Sequence, residues 1–268
     1  MAVVRAGEVE LDYERSGSGP PLLLIMGMSG TALHWGEPFL RELRKDFELI
    51  AYDHRGVGSS SRLEGPVTIA QMARDAAALL DALEIDSAHV LGISMGAMIA
   101  QELALAHPER VRTLTLGCTY CGGESSSLTT PEVVQKLTAA MASGDPMLAL
   151  RAAFEVNIAP AAAAADGTLY RRMLEIAAQR AVAVPVIMAQ LQACAAHDTS
   201  SRLSGLTAPT LVIHGTEDQM LPVANAAVIA GRIPGARLEI LDGAGHLFFW
   251  ERPEESAELI RAHAAVRA

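Results

Sequence analysis

Three scarcities bound this sequence of 268 residues. The first is cysteine, with three residues, an odd number in a chain too long to depend on stapling, which excludes a disulfide framework. Cys118-Thr119-Tyr120-Cys121 does spell C-x-x-C, but it runs into Gly122-Gly123, where a loop is expected. No second pair completes a zinc site, so redox and metal roles are set aside. Cys194 falls in an apolar helical pattern and reads as core. The second scarcity is positive charge. Lys and Arg total 21 against 31 for Asp and Glu, a net charge of -10 that argues against nucleic acid or an anionic membrane surface as partner. The third is long apolar runs. Residues 16–36 are full of Gly and Pro, and residues 181–196 are short and hold Pro185, Gln190 and Gln192, so neither reads as a membrane span. Arg5 and Glu8 fall too early for the apolar core of a signal peptide. The expectation is a cytoplasmic protein. Its oligomeric state is left open, a homodimer included.

What is present is an alternation of strands and helices. Residues 8–14 alternate in polarity, and residues 21–26 form a continuous apolar run of the kind buried on both faces. Further short apolar strands are expected over 47–52, 89–93, 111–116, 210–214 and 237–241, with helical spacing over 69–83, 97–106 and 254–266. This pattern predicts an α/β fold: a mostly parallel, doubly wound sheet with helices on both faces. Residues 121–205 break the alternation, with helical segments and no convincing strand. They are expected to form a helical lid inserted into a core made of residues 1–120 and 206–268. Thr130-Pro131 and Asp145-Pro146 each place a capping side chain before a proline and mark two helix starts. Asp166 or Thr168 begins a third, Pro185 begins a fourth, and the alanine run 161–165 is a linker or a frayed helix.

Gly92-Ile93-Ser94-Met95-Gly96 follows directly on the apolar run His89-Val90-Leu91. Glycines two places on either side of Ser94 remove the side chains that collide in a sharp strand-to-helix turn, so the serine hydroxyl projects from the sheet edge. The N–H of Met95, at a helix N-terminus, points into the same space as an oxyanion donor. Serine is a weak nucleophile and needs a base within hydrogen-bond reach, with a third group to orient that base. Seven of the eight histidines are assigned by context to capping, packing or hydration: His34, His54, His89, His107, His197, His214 and His263. His246, in Gly243-Ala244-Gly245-His246 beyond the last strand, lies where parallel sheets place ligands. Asp218, in the loop after strand 210–214, is the preferred acid, with Glu217 and Asp242 as rivals that pattern alone leaves open.

At this point the chain resembles the α/β-hydrolase superfamily over essentially its full length. The resemblance is carried by the order Ser94, Asp218, His246 and by the G-x-S-x-G elbow around Ser94. The apolar strand into Gly27, Asp53-His54-Arg55-Gly56 through Ser59, His214-Gly215 with Asp218 and Pro222, and Gly245-His246 followed by Glu251-Arg252-Pro253-Glu254 carry it further. It implies that the Asp53 segment is structural, with Arg55 tied into neighbouring loops. Many relatives have histidine before the first loop's glycine, whereas this chain has Met26 before Gly27. The turn is otherwise kept, and the N–H of Met28 is expected to join that of Met95 in the oxyanion hole. Tandem glycines of the H-G-G-G type are missing, which argues against the large lipase branches. The Met-Gly loop with Trp35 downstream resembles the small-molecule esterase branch that includes aclacinomycin methylesterases.

The resemblance implies a serine hydrolase without metal or cofactor, acting through an acyl-enzyme. Trp35, Met28, Met95, Phe154, Met188, Leu191, Leu247 and Phe248 are the expected substrate walls, and the lid shows no evident cationic clamp for a carboxylate. A small, uncharged, moderately hydrophobic carboxylic ester is the expected substrate. The same residues also occur in cofactor-free haloperoxidases (perhydrolases), lactonases and C–C hydrolases. A non-catalytic small-molecule receptor on the same fold is a further alternative, because fold does not fix function.

Overall fold

The computed structural model describes residues 2–165 and 167–267. The strands are β1 (Ala2–Ala6), β2 (Val9–Gly17), β3 (Pro21–Ile25), β4 (Glu48–Tyr52), β5 (Ala88–Ile93), β6 (Val111–Gly117), β7 (Thr210–Gly215) and β8 (Arg237–Leu241). Among the described residues they form one sheet in the order β1-β2-β4-β3-β5-β6-β7-β8. The pairings β1·β2 and β2·β4 are antiparallel, and all the others are parallel. Flanking the sheet are α1 (Glu37–Leu43), α2 (Ile69–Ala82), α3 (Met95–Ala106), α9 (Ala224–Arg232) and α11 (Pro253–Ala264).

The apolar run of β3 needs two faces to bury it, and period-2 alternation divides it between them. Leu23 and Ile25 join Met72, Ala76, Leu79, Ile99 and Leu103 of α2 and α3. Leu22 and Leu24 join Phe39, Leu43, Ala257 and Ile260 of α1 and α11 on the other face. In the register of the sheet, Leu23 lies between Ile50 of β4 and Val90 of β5. The chain passes from β3 to β4 on one side, then crosses back over β3 by way of α2 to β5 on the other. That reversal of winding opens a crevice at the carboxyl ends of β3 and β5, the place where open α/β sheets bind ligands.

Five further helices occupy the segment between β6 and β7: α4 (Pro131–Ala142), α5 (Pro146–Asn157), α6 (Pro160–Ala163), α7 (Thr168–Gln179) and α8 (Val184–Ala195). Asp145 caps α5 as expected, its carboxylate accepting from the N–H of Met147 at 2.8 Å. Thr130 precedes α4 but makes no side-chain cap bond. The helix start near residue 166 is at Thr168; Asp166 lies outside the described residues. The alanine run contributes the single turn of α6. Some elements, β1 and α1 among them, were not anticipated. β1 is a short edge strand with mostly exposed residues, too weakly patterned to read, and α1 is a seven-residue helix. No single helix among the described residues is long and apolar enough to cross a membrane.

The inserted helices are tied down by buried polar contacts. Arg180, following α7, reaches across the fold to the carboxylates of Asp53 and Asp12, the latter at 3.0 Å. Both acids are almost wholly buried. Asp53 also accepts the N–H of Ala32 at 2.7 Å. Removing one partner of such a cluster strands its charges in a poor solvent. Arg180→Met is therefore expected to lower the unfolding free energy by about 3 kcal/mol, read from the urea midpoint.

Burial also sets a pH dependence. His34, His89 and His197 are each pushed down to about 4 by desolvation, from an unfolded value of about 6.5. Between those two values the unfolded chain binds protons that the native state refuses, so native stability falls as pH drops through this window. A declining thermal midpoint from pH 7 to pH 4 is expected, with a shallower decline in His197→Gln.

Candidate active site

The turn from β5 into α3 holds Ser94 at φ 57°, ψ −121°, a conformation that L-residues adopt only when the surroundings impose it. Those surroundings are specific. The Ser94 N–H donates to the Gly117 carbonyl at 2.8 Å, and the Ser94 carbonyl accepts from Ala97 and Met98 N–H and from the Thr119 hydroxyl. A Cβ on Gly96 would lie 1.9 Å from the Ile25 carbonyl oxygen, and one on Gly92 would lie 2.4 Å from the Gly96 carbonyl oxygen. Both positions therefore require glycine. Gly27 is pressed against Ser94 in turn, its missing Cβ 3.2 Å from the serine Cβ. Met95 is the first residue of α3, so its N–H has no intrahelical acceptor. Met28 lies in the loop after β3, beside Ser29 at φ 58°, and the Ser29 N–H donates to the buried Gln190 side chain of α8 at 2.8 Å.

Asp218 and His246 come together from the loops after β7 and β8. His246 Nδ1 donates to Asp218 Oδ2 at 2.7 Å, which leaves Nε2 as the free ring nitrogen. Both side chains are nearly inaccessible. The same Asp218 oxygen lies 2.9 Å from His214 Nε2, which also lies 3.0 Å from the Leu221 carbonyl. A carbonyl only accepts, so His214 carries its proton on Nε2 and donates to both. Asp218 Oδ1 accepts the N–H groups of Met220 and Leu221 at 2.8 and 2.9 Å. Burial by itself raises a carboxyl pKa, but the charge of His246 and the hydrogen bonds from His214 and His246 outweigh it. The net effect holds Asp218 well below the usual carboxylate range.

The rival acids are placed elsewhere. Glu217 is exposed, and Asp242 is exposed and receives Thr216. Glu251 of the short helix α10 (Phe248–Glu251) holds the histidine loop by accepting from Gly245 N–H at 3.1 Å and from Ala159 N–H at 3.0 Å. The Leu247 N–H donates to the Asn157 carbonyl at the end of α5.

Two mostly apolar cavities meet at Ser94. One, of about 320 Å³, is bounded by Met28, Ser94, Met173, Ala177, His246 and Leu247. The other, of about 460 Å³, is bounded by Met28, Ser94, Met98, Leu128, Val134 and Leu191. Met28, Leu191 and Leu247 are thus wall residues. Trp35, Phe154 and Met188 are not, contrary to the sequence expectation. Trp35 is fully buried against Phe39 and Phe249, with ring centroids at 6.1 and 5.2 Å. Phe154 is fully buried and packs on Tyr170 at 5.0 Å. Met188 lies on the outer side of α8 and is 42 % exposed. Met95 and Phe248 also point their side chains into the core.

The first cavity is also lined by His34, which sequence context assigned to capping, packing or hydration, and by Asn157 and Arg180, which the sequence did not single out. His34 Nδ1 accepts from Thr31 N–H, and burial keeps the ring neutral at pH 7. Arg180 brings a cation to the cavity wall, but Asp12 and Asp53 already balance it. The thiols of Cys118, Cys121 and Cys194 are free and buried, and desolvation pushes all three up, Cys194 to about 12, so none is a ready thiolate. Cys118, His214 and Asp218 do cluster within 4.8 Å. That carboxylate is already saturated with N–H donors, an arrangement suited to holding an imidazole.

Residues 20–253 match the model of the alpha/beta hydrolase fold family. Over 263 residues the chain is 33 % identical to a candidate carbamate hydrolase, RutD, of Azorhizobium caulinodans, covering 97 % of both chains. It is 34 % identical over 245 residues to a poly(3-hydroxyalkanoate) depolymerase of Ectopseudomonas oleovorans, covering 90 % of this chain and 82 % of that one. The solved enol-lactonase of Burkholderia xenovorans LB400 superposes with a TM-score of 0.85 at 25 % identity, over 98 % of this chain and 100 % of that one. With its sheet order, its serine turn and this match over most of its length, the chain belongs to the α/β-hydrolase family and is a hydrolase.

Proposed function

We infer that the protein is a serine hydrolase that cleaves a small, uncharged, moderately hydrophobic carboxylic ester through an acyl-enzyme. The observation that carries this reading is the convergence on one cavity of Ser94 in its strained turn and of His246 with its Nδ1 held by Asp218. His246 Nε2 takes the Ser94 hydroxyl proton as Oγ bonds to the ester carbonyl carbon, and the carbonyl electrons move onto oxygen. The N–H groups of Met28 and Met95 receive that oxyanion. Collapse breaks the bond to the leaving alcohol, which departs with the proton from Nε2. Water then repeats the sequence on the acyl-enzyme, releasing the acid. Asp218 stays ionised throughout, fixing the His246 tautomer and stabilising the imidazolium.

The apolar cavity walls favour an uncharged substrate, and the balanced charge of Arg180 leaves no uncommitted cation there for a substrate carboxylate. Lactone opening, perhydrolysis and C–C cleavage use the same three groups. Product analysis separates them, with lactones, with acetate plus peroxide, and with methyl esters as the panel.

Ser94→Ala is expected to lower kcat on a short p-nitrophenyl ester by on the order of 10⁶ and to abolish labelling by a fluorophosphonate. Equal turnover by Ser94→Ala and the parent protein defeats the reading. Met28→Ala keeps its N–H, so kcat should change far less than the 10²- to 10³-fold (order of magnitude) loss that follows removal of an oxyanion donor.

A further inference from the structure

We propose that the two cavities meeting at Ser94 divide the substrate, the 320 Å³ cavity taking the leaving alcohol and the 460 Å³ cavity taking the acyl chain. This assignment rests on the serine-esterase reading and deepens it. A tetrahedral carbon on Ser94 Oγ has three other substituents. The oxyanion must face the N–H groups of Met28 and Met95. The leaving oxygen must face His246 Nε2, which protonates it. The acyl carbon takes the direction that remains.

The cavities differ in the group that matters for this geometry. His246 and Leu247 line only the smaller one, so the alcohol lies there, between the loop after β3 and the helices α5 and α7. The larger one shares Met28, Ser94 and Met220 with it but lacks the histidine. It runs from Ser94 past Met98 to Leu128, Val134 and Leu191. Those three side chains are 67 %, 49 % and 45 % exposed, so this cavity ends in an apolar rim instead of a closed wall. An acyl chain longer than the cavity can emerge over that rim, and the alcohol arm, which passes Met173 and Ala177 of α7, is the smaller of the two. The substrate class that fits is an open-chain ester with an unbranched acyl group larger than its alcohol. A small lactone, whose alcohol remains tied to its acyl group, fills the two arms less well.

The test is a matrix of esters: acyl chains from acetyl to decanoyl on one alcohol, and alcohols from methyl to hexyl on one acyl group. It is run on the parent protein and on variants that narrow one arm each. Leu191→Trp narrows the acyl arm, and Ala177→Trp narrows the alcohol arm. Both positions are at least partly exposed, so the larger side chain has room to be accommodated. Val134→Trp and Ala153→Leu serve as second variants at separate positions in the same arms.

In Leu191→Trp the decanoyl-to-acetyl ratio of kcat/KM is expected to fall at least about tenfold, with the hexyl-to-methyl ratio unchanged. Ala177→Trp is expected to do the reverse. A misplaced methylene costs about tenfold or more, which sets the scale. Ratios that respond to the opposite variant reverse the assignment, and ratios that move together or not at all overturn the division. Inactivity of the parent protein on every ester defeats the esterase reading itself, a result distinct from retained activity with the wrong ratios.

Discussion

A serine held at φ 57° between a buried strand and a helix is the constraint around which the rest of the structure is arranged. A non-glycine residue in that region stores on the order of 1–3 kcal/mol, which must be offset by what surrounds it. Here the offset comes from the Gly117 carbonyl in front, from the Thr119 hydroxyl and the first turn of α3 behind, and from α3 seated directly on β3. That seating is possible only because Gly96 presents no Cβ to the Ile25 carbonyl. The same packing brings the loop after β3 against the serine, so one steric arrangement sets Ser94 and the Met95 N–H, and delivers the loop bearing Met28.

The carboxylate of Asp218 is the second fixed point. It accepts N–H donors from two imidazoles and two backbone groups, which keeps it ionised despite burial and fixes the orientation of the His246 ring. His214 does this without touching the cavity. The inserted helices do more than cover the crevice. Gln190 of α8 holds the loop carrying Met28, the end of α5 holds Leu247, and Arg180 joins the insertion to Asp12 and Asp53 beneath. A change in the position of these helices therefore changes the loop after β3 as well as the cavity walls.

Much of the fold was legible because it rests on local patterns. The run Pro21–Ile25 and residues 211–213 of β7 are apolar because both faces of the sheet are covered, and Asp145 before Pro146 marks a helix start by its own chemistry. β1 was missed because an exposed edge strand leaves no such pattern, and α1 because so short a segment shows little periodicity. Among the wall residues, Leu191 and Leu247 were found while Trp35 and Phe154 were not placed correctly, since a large apolar side chain looks the same in a sequence whether it faces a cavity or a core. Arg180 was invisible as a wall residue because its partners lie far away along the chain, at Asp12 and Asp53.

The sequence by itself determined the turn chemistry, because glycine spacing around Ser94 and the loops after each strand act over a few residues and obey local sterics. It also determined the two faces of the sheet, through alternation. Only the tertiary structure decided which acid meets His246, why His214 belongs to that acid, and that two cavities converge on the serine. The first two depend on how the loops after β7 and β8 meet, with Asp218 and His246 lying 28 residues apart, and the third on how the inserted helices pack over Ser94, and no local pattern encodes them.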